Sequence, residues 1–68
     1  MSTRLTVDGR AIEVEEVLHR GWAGIVYRDP RTNQLYLNTL EWIGGAYIDR
    51  VRAISRDEFA AFRDAPPE

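Results

Sequence analysis

The stretch that decides the fold is Arg4-Leu5-Thr6-Val7-Asp8-Gly9-Arg10-Ala11-Ile12-Glu13-Val14. An Asp-Gly pair between two segments of alternating polarity is a strong signal for a two-residue hairpin turn. Pairing the flanking strands about Asp8-Gly9 puts Leu5 opposite Ile12. This pairing gathers the apolar side chains on one face, Leu5, Val7, Ile12 and Val14, and the polar ones on the other, Arg4, Thr6 and Glu13. The sequence therefore predicts a β-hairpin with one face in a core.

Further strands follow along the chain. The second strand should run to about Leu18, and its alternation changes phase after Glu15-Glu16, which predicts a bulge or bend. Turn signals and β-forming residues then predict a turn at 19–22, a third strand at 23–28, a turn at 29–33, a fourth strand at 34–42 and, after Gly44-Gly45, a fifth strand at 46–54. The segment 39–47 alternates poorly, so a loop within it is an alternative.

The C-terminal part carries the signals of a short helix. Ser55 followed by Glu58 forms a capping-box pattern, and Ile54 and Phe59 occupy the positions of a hydrophobic staple. We expect a helix at about 56–63 that docks through Phe59 and Phe62, because so short a helix needs tertiary packing in water. The Pro-containing tail 65–68 is predicted to be disordered.

Together these elements predict a mainly β fold with one C-terminal α-helix, in a single domain spanning residues 1–64. The five strands should form a small antiparallel meander or barrel capped by the short helix. A sheet curled into a small barrel is favoured over an open sheet with the helix on one face.

The register between the third and fourth strands has two interpretations. If 30–33 is a four-residue loop, Tyr27 lies opposite Tyr36, and both faces of the sheet are apolar. The second face then needs a cover, which is the helix, a second copy of the chain or a partner. A slip by one residue instead collects the apolar side chains on one face, Ile25, Tyr27, Leu35 and Leu37.

Composition limits the classes of function. The 68 residues include no cysteine and no lysine, and nine arginines against eleven acidic residues give a net charge of −2. Without cysteine there are no disulfides and no thiolate zinc sites, and with no signal-peptide pattern at the N-terminus we expect a cytoplasmic protein without a membrane segment. The exclusive use of arginine favours the codon bias of a GC-rich bacterial genome.

Groups for catalysis are sparse. Ser2 lies near the terminus, Ser55 is used as a helix cap, and His19 is a single imidazole without a paired ligand, so neither a catalytic triad nor a metal site is predicted. The acidic run of Glu13, Glu15 and Glu16 is typical of a solvated face. Because no phosphate-binding glycine pattern occurs either, we expect no cofactor and no enzymatic activity.

An aromatic cluster is the more informative feature. In a meander the second and fourth turns lie at the same end of the sheet, which brings Arg20 and Trp22 near Trp42 and Tyr47. Arginine and tryptophan are enriched in binding hot spots, so the leading hypothesis is a protein-binding module such as an adaptor, inhibitor or accessory subunit. Tyr27 and Tyr36 form a second candidate surface. Alternatively, Trp22 and Trp42 plug the end of the core, as aromatics do in small barrels.

Two other functions compete with protein binding. In a small barrel that binds single-stranded nucleic acid, tyrosines would stack on bases while arginines contact phosphates, Arg28, Arg31, Arg50 and Arg52. The acidic net charge argues against this function. The third hypothesis is a structural subunit of a homodimer or larger homo-oligomer, in which a second copy covers the apolar face.

Overall fold

The computed structural model of the chain describes residues 2–66 as five β-strands and a terminal helix. These elements are β1 (Ser2–Val7), β2 (Arg10–His19), β3 (Ile25–Arg28), β4 (Leu35–Ile43), β5 (Ala46–Ile54) and α1 (Arg56–Asp64). Consecutive strands pair antiparallel in the order β1-β2-β3-β4-β5, and the sheet curls into a half-barrel. The predicted mainly β meander with a C-terminal helix is confirmed. Residues 67 and 68 of the tail that was predicted to be disordered lie outside the described residues.

The first hairpin has the predicted turn and register. Asp8 and Gly9 both have positive φ, 50° and 78°, as a turn compatible with the right-handed twist of paired strands requires. Leu5 lies opposite Ile12, and Leu5 and Val14 are buried. Alternating polarity and turn chemistry therefore specify the same register, which is the condition for a well-determined hairpin.

A β-bulge in β2 changes which face its side chains cover. Glu16 pairs with Tyr27, whereas Leu18 pairs with Val26, so Val17 is an extra residue in β2. Because side chains alternate between faces, one added residue moves Leu18 to the face opposite that of Glu16. The bulge predicted after Glu15-Glu16 is confirmed.

The inner face of the curled sheet holds the first of two cores. Side chains of all five strands meet there, with Leu5, Val14 and Tyr27 buried and five half-buried neighbours, Val7, Ile12, Ile25, Tyr36 and Val51. Contact between side chains of β1 and β5 requires the sheet to curve toward this face. We call it the inner face.

The outer face carries a second core beneath the helix. Val26, Leu37 and Ile54 are buried there, and Leu18, Leu35, Phe59 and Phe62 pack against them. Ser55 caps α1 by accepting a hydrogen bond from the Glu58 amide, while the Glu58 side chain accepts one from the Ser55 amide, so the predicted capping box is confirmed. The helix thus begins where its aromatic face meets the sheet.

The turn before β4 determines the register that the sequence left open. Tyr27 pairs with Tyr36, so the slipped register is wrong and both faces of the sheet centre are apolar. The buried Asp29 fixes the four-residue loop: its carboxylate accepts from the Arg31 amide, and its own amide donates to the Gln34 carbonyl. The helix covers the outer face at the sheet centre, which is one of the three predicted covers.

The third strand is shorter than predicted. A 3-10 helix at Gly21–Ala23 replaces the expected start of the strand at Ala23, and β3 begins at Ile25. Gly24 makes this possible, because φ 134° with ψ 175° is a backbone conformation essentially confined to glycine. The other boundaries differ from the predicted ones by one or two residues. In the structure β1 starts at Ser2, β2 extends to His19, β4 spans Leu35–Ile43, and α1 reaches Asp64.

Gly24→Ala tests the requirement for glycine at the start of β3. A Cβ there would lie 3.0 Å from the Asn38 carbonyl oxygen and 3.1 Å from side-chain atoms of Leu37 and Thr39. We expect a loss of about 1–3 kcal/mol in the free energy of unfolding, measured by urea denaturation. Gly21→Ala is the matched control, because Gly21 also has positive φ but nothing lies within 4 Å of an added Cβ. Equal losses in the two variants would show that crowding at Gly24 has no effect.

Candidate functional site

The hairpin of β4 and β5 extends beyond the rest of the sheet. β3 pairs with β4 only along the segment from Leu35 to Asn38, so β4 residues 39–43 pair with β5 alone. We call residues 39–50 the arm. Gly44 and Gly45, at φ 59° and 90°, form the two-residue turn at its tip, and the alternative of a loop within 39–47 is wrong.

Three aromatic side chains lie in contact on the inner side of this arm. Trp42 and Tyr47 are cross-strand partners, and their rings meet edge to face with centroids 4.8 Å apart. The Trp22 ring, from the 3-10 helix, also contacts Tyr47, with ring centroids 5.7 Å apart. We call Trp22, Tyr47 and Trp42 the aromatic row. Topology alone predicted that these residues share one end of the sheet, and the rings are in direct contact.

The aromatic row is open to solvent. The exposed fractions are 77% for Trp22, 61% for Trp42 and 57% for Tyr47, so these rings do not plug the end of the barrel as the sequence-based alternative had it. Burial on the inner face stops before the arm, because β3 is too short to flank it. The rings gain mutual contact, worth about 0.5–1.5 kcal/mol per pair, but remain largely hydrated.

Leu40 extends the exposed surface of the row, and the opposite face of the arm carries exposed apolar side chains of its own. Leu40 alternates with Trp42 and therefore shares its inner face, whereas Ile43 and Ile48 lie on the outer face of the arm, and all three are exposed. A two-stranded ribbon is marginally stable in water by itself. An arm with exposed apolar groups on both faces has the character of a contact surface.

The remaining partner-binding candidates lie elsewhere. The Arg20 guanidinium donates to the Phe62 carbonyl and stands 5.6 Å from the centre of the Phe62 ring, so Arg20 holds the helix instead of joining the row. Tyr27 is buried and Tyr36 half-buried in the inner core. Burial, with the carboxylates of Glu16 and Asp49 nearby, raises the pKa of the Tyr27 hydroxyl above its ordinary value.

The four arginines of the nucleic-acid hypothesis are each engaged by a carboxylate. The closest N–O distances are 2.8 Å for Arg28 with Glu15, 3.6 Å for Arg31 with Asp29, 2.6 Å for Arg50 with Glu41 and 2.7 Å for Arg52 with Glu58. The three pairs other than Arg31–Asp29 are exposed and contribute little stability, but all four neutralise a charge that a phosphate contact would use. The four side chains do not form a free basic surface.

Groups that could support catalysis or metal binding are dispersed. Ser55 is occupied as the helix cap, and His19 lies beside the aromatic row, in a depression shared with Trp22 and Asp49. Within residues 2–66, no three side chains of His, Cys, Asp or Glu are grouped so that they could hold one metal ion. In the same residues no helix has the length and apolar character needed to cross a membrane.

Comparisons with protein-family models, with curated proteins and with solved structures gave no match.

Two residues of the site were not among the sequence-based candidates. Leu40 and Asp49 pair across the arm and follow the alternation set by Trp42 and Tyr47, so they share the inner face with the aromatic row. Counting two residues back from Trp42 and two forward from Tyr47 would have identified both residues. The weak alternation of polarity at 39–47 obscured this pattern.

The pKa of Tyr27 gives a test of the inner face. The folded state holds the phenolic proton more tightly than the unfolded state, so the stabilisation is fully present below the unfolded pKa of about 10 and decreases as pH rises through the folded pKa. We expect the free energy of unfolding to fall more steeply between pH 9 and pH 11 in the wild type than in Tyr27→Phe. Lysine and cysteine are absent, so tyrosines dominate titration in this range. If the free energies of unfolding of the wild type and Tyr27→Phe, measured by urea denaturation, change in parallel with pH, the buried position of Tyr27 is contradicted.

Proposed function

We propose that this chain is a small, non-enzymatic protein-binding module, and that its aromatic row is the contact surface. The observation that carries the proposal is the arm. It presents Trp42 and Tyr47 in contact with Trp22, and all three rings are more than half exposed. Large aromatic side chains supply much of the energy of protein interfaces, because they bury a wide area with few rotatable bonds.

The backbone and ring contacts that position the row support the same function. Trp22 is held by a 3-10 helix whose ends are closed by backbone hydrogen bonds from Gly24 to Gly21 and from Arg20 to Gly24. Tyr47 and Trp42 are held by strand pairing and by their own edge-to-face contact. A preorganised surface loses little conformational entropy on binding, which favours affinity.

The competing functions draw less support from the structure. For nucleic acid, the arginines are paired with carboxylates and Tyr27 is buried, so phosphate contacts would require existing ion pairs to break. For a homo-oligomer, the second apolar face of the sheet centre is already covered by α1. The need for a second copy at that face is therefore removed.

Peptide selection tests the assignment to the aromatic row. A phage-displayed library of random peptides is selected against the wild-type chain, and the affinities of recovered peptides are measured by fluorescence titration for Trp22→Ala and Trp42→Ala. We expect each substitution to weaken binding by 2 kcal/mol or more, about thirtyfold, as is typical of hot-spot residues. Trp22→Ala is the cleaner variant, because Trp22 lies outside the paired strands.

Ile48→Ala is the matched control for this experiment. Ile48 is an exposed apolar residue of the same arm, but it lies on the outer face. Its replacement should leave peptide affinity within about twofold of wild type. If folded Trp22→Ala and Trp42→Ala bind the peptides unchanged, or if Ile48→Ala loses as much affinity as they do, the aromatic row is not the contact surface.

A further inference from the structure

A depression beside the aromatic row has the dimensions of a pocket for one side chain. It lies between the 3-10 helix and the base of the arm, with a volume of about 320 Å³, at the lower end of the range for ligand pockets. Apolar contact is offered by Trp22, Ile25 and Leu40, and polar contact by His19, Asn38 and Asp49. The pocket therefore combines an aromatic wall, an aliphatic wall and a carboxylate.

The distribution of ion pairs distinguishes Asp49 from most other acidic residues. Within residues 2–66, ion pairs between strands, or between a strand and α1, lie on the outer face, where Arg4 pairs with Glu13, Arg28 with Glu15, Arg50 with Glu41 and Arg52 with Glu58. On the inner face, Glu16 and Asp49 have no arginine or histidine within ion-pair distance in that part of the chain. The inner face is thus locally acidic.

Arg20 and Arg50 each adjoin a pocket residue in sequence, and both guanidinium groups are engaged elsewhere, that of Arg50 by Glu41 on the outer face. The Arg20 guanidinium is bound to the Phe62 carbonyl and stacks over the Phe62 ring on the side of α1. The carboxylate of Asp49 is therefore not neutralised by either neighbour. A ligand that brings a positive charge would complete the pairing.

We propose that this pocket receives an arginine side chain of the protein partner. A planar, weakly hydrated guanidinium stacks on an indole face and forms two parallel hydrogen bonds with a carboxylate. In the pocket these partners are Trp22 and Asp49, the Asn38 amide oxygen is a further acceptor, and the methylene stem of the arginine contacts Leu40 and Ile25. The inference rests on the proposed function, because the aromatic row would bind the residues that flank this arginine.

The test uses small probes that isolate the side chain. N-acetyl-arginine amide and its neutral isostere N-acetyl-citrulline amide are titrated into the ¹⁵N-labelled full-length chain, and amide and indole shifts are followed by NMR. We expect the arginine probe to shift the resonances of Trp22, Gly24 and the Asn38 side chain, and to bind about tenfold more tightly than the citrulline probe. N-acetyl-lysine amide, with a free ε-ammonium, should bind more weakly than the arginine probe.

Asp49→Asn and Asp57→Asn form a matched pair of variants. Both remove one negative charge, but Asp57 lies in the first turn of α1, away from the pocket. Asp49→Asn should abolish the difference in affinity between the arginine and citrulline probes, whereas Asp57→Asn should preserve this difference.

Several results would overturn the inference. These are equal binding of arginine and citrulline probes to the wild type, shifts confined to residues outside the pocket, an unchanged preference in Asp49→Asn, or tighter binding of the lysine probe. None of these results bears on whether selected peptides require Trp22 and Trp42. Failure of the arginine pocket and failure of the aromatic row as a contact surface are therefore distinguishable.

Discussion

The structure depends on one extra residue in β2, the β-bulge at Val17. Before the bulge, Val14 faces the inner core, and after it Leu18 faces the helix. A strand without the bulge would place Leu18 on the inner face and leave the second core without one of its walls. Because the bulge also bends the strand, the same residue that divides the apolar side chains between two faces helps the sheet to curl.

A chain this short has a thin core, and using both faces of the sheet centre roughly doubles the surface that can be buried.

The arm is exposed because β3 is too short to flank it. β3 is only four residues long, because the 3-10 helix and Gly24 occupy the residues that would have extended it. β4 and β5 continue past its end as a ribbon that neither core reaches. The aromatic row is therefore carried on a stable two-sided core but is not part of it. This separation lets the aromatic row change with little effect on the fold, and the proposed contact surface thus matches a common arrangement in which a rigid scaffold positions binding residues at its periphery.

Local signals in the sequence predicted the structure where one interaction dominates, and failed where the apolar pattern fitted two arrangements equally well or where the outcome depends on the relative lengths of separate strands. Asp8-Gly9 and the Ser55 capping box act over two to four residues, so the first hairpin and the helix start were predictable. The register at Tyr27 and Tyr36 was not, because both alternatives gave an apolar core, and the hydrogen bonds of Asp29 that decide it depend on the loop conformation. The proximity of Trp22, Trp42 and Tyr47 was predicted from topology. The exposure of Trp22 and Trp42 was not, because it depends on how far β3 extends alongside the arm.

A different protein can bind the aromatic row only if the row is free in the isolated chain. A second copy of the chain is the competing cover for three exposed aromatic rings, since self-association through an apolar patch is a usual route to a symmetric dimer. The most direct measurement is the solution mass by light scattering across a concentration series. We expect the 7.8 kDa of one chain at every concentration, which leaves the row open to a different partner. A stable mass of twice that value, reduced to one chain by Trp42→Ala, would show that the row is buried against itself and would contradict the account.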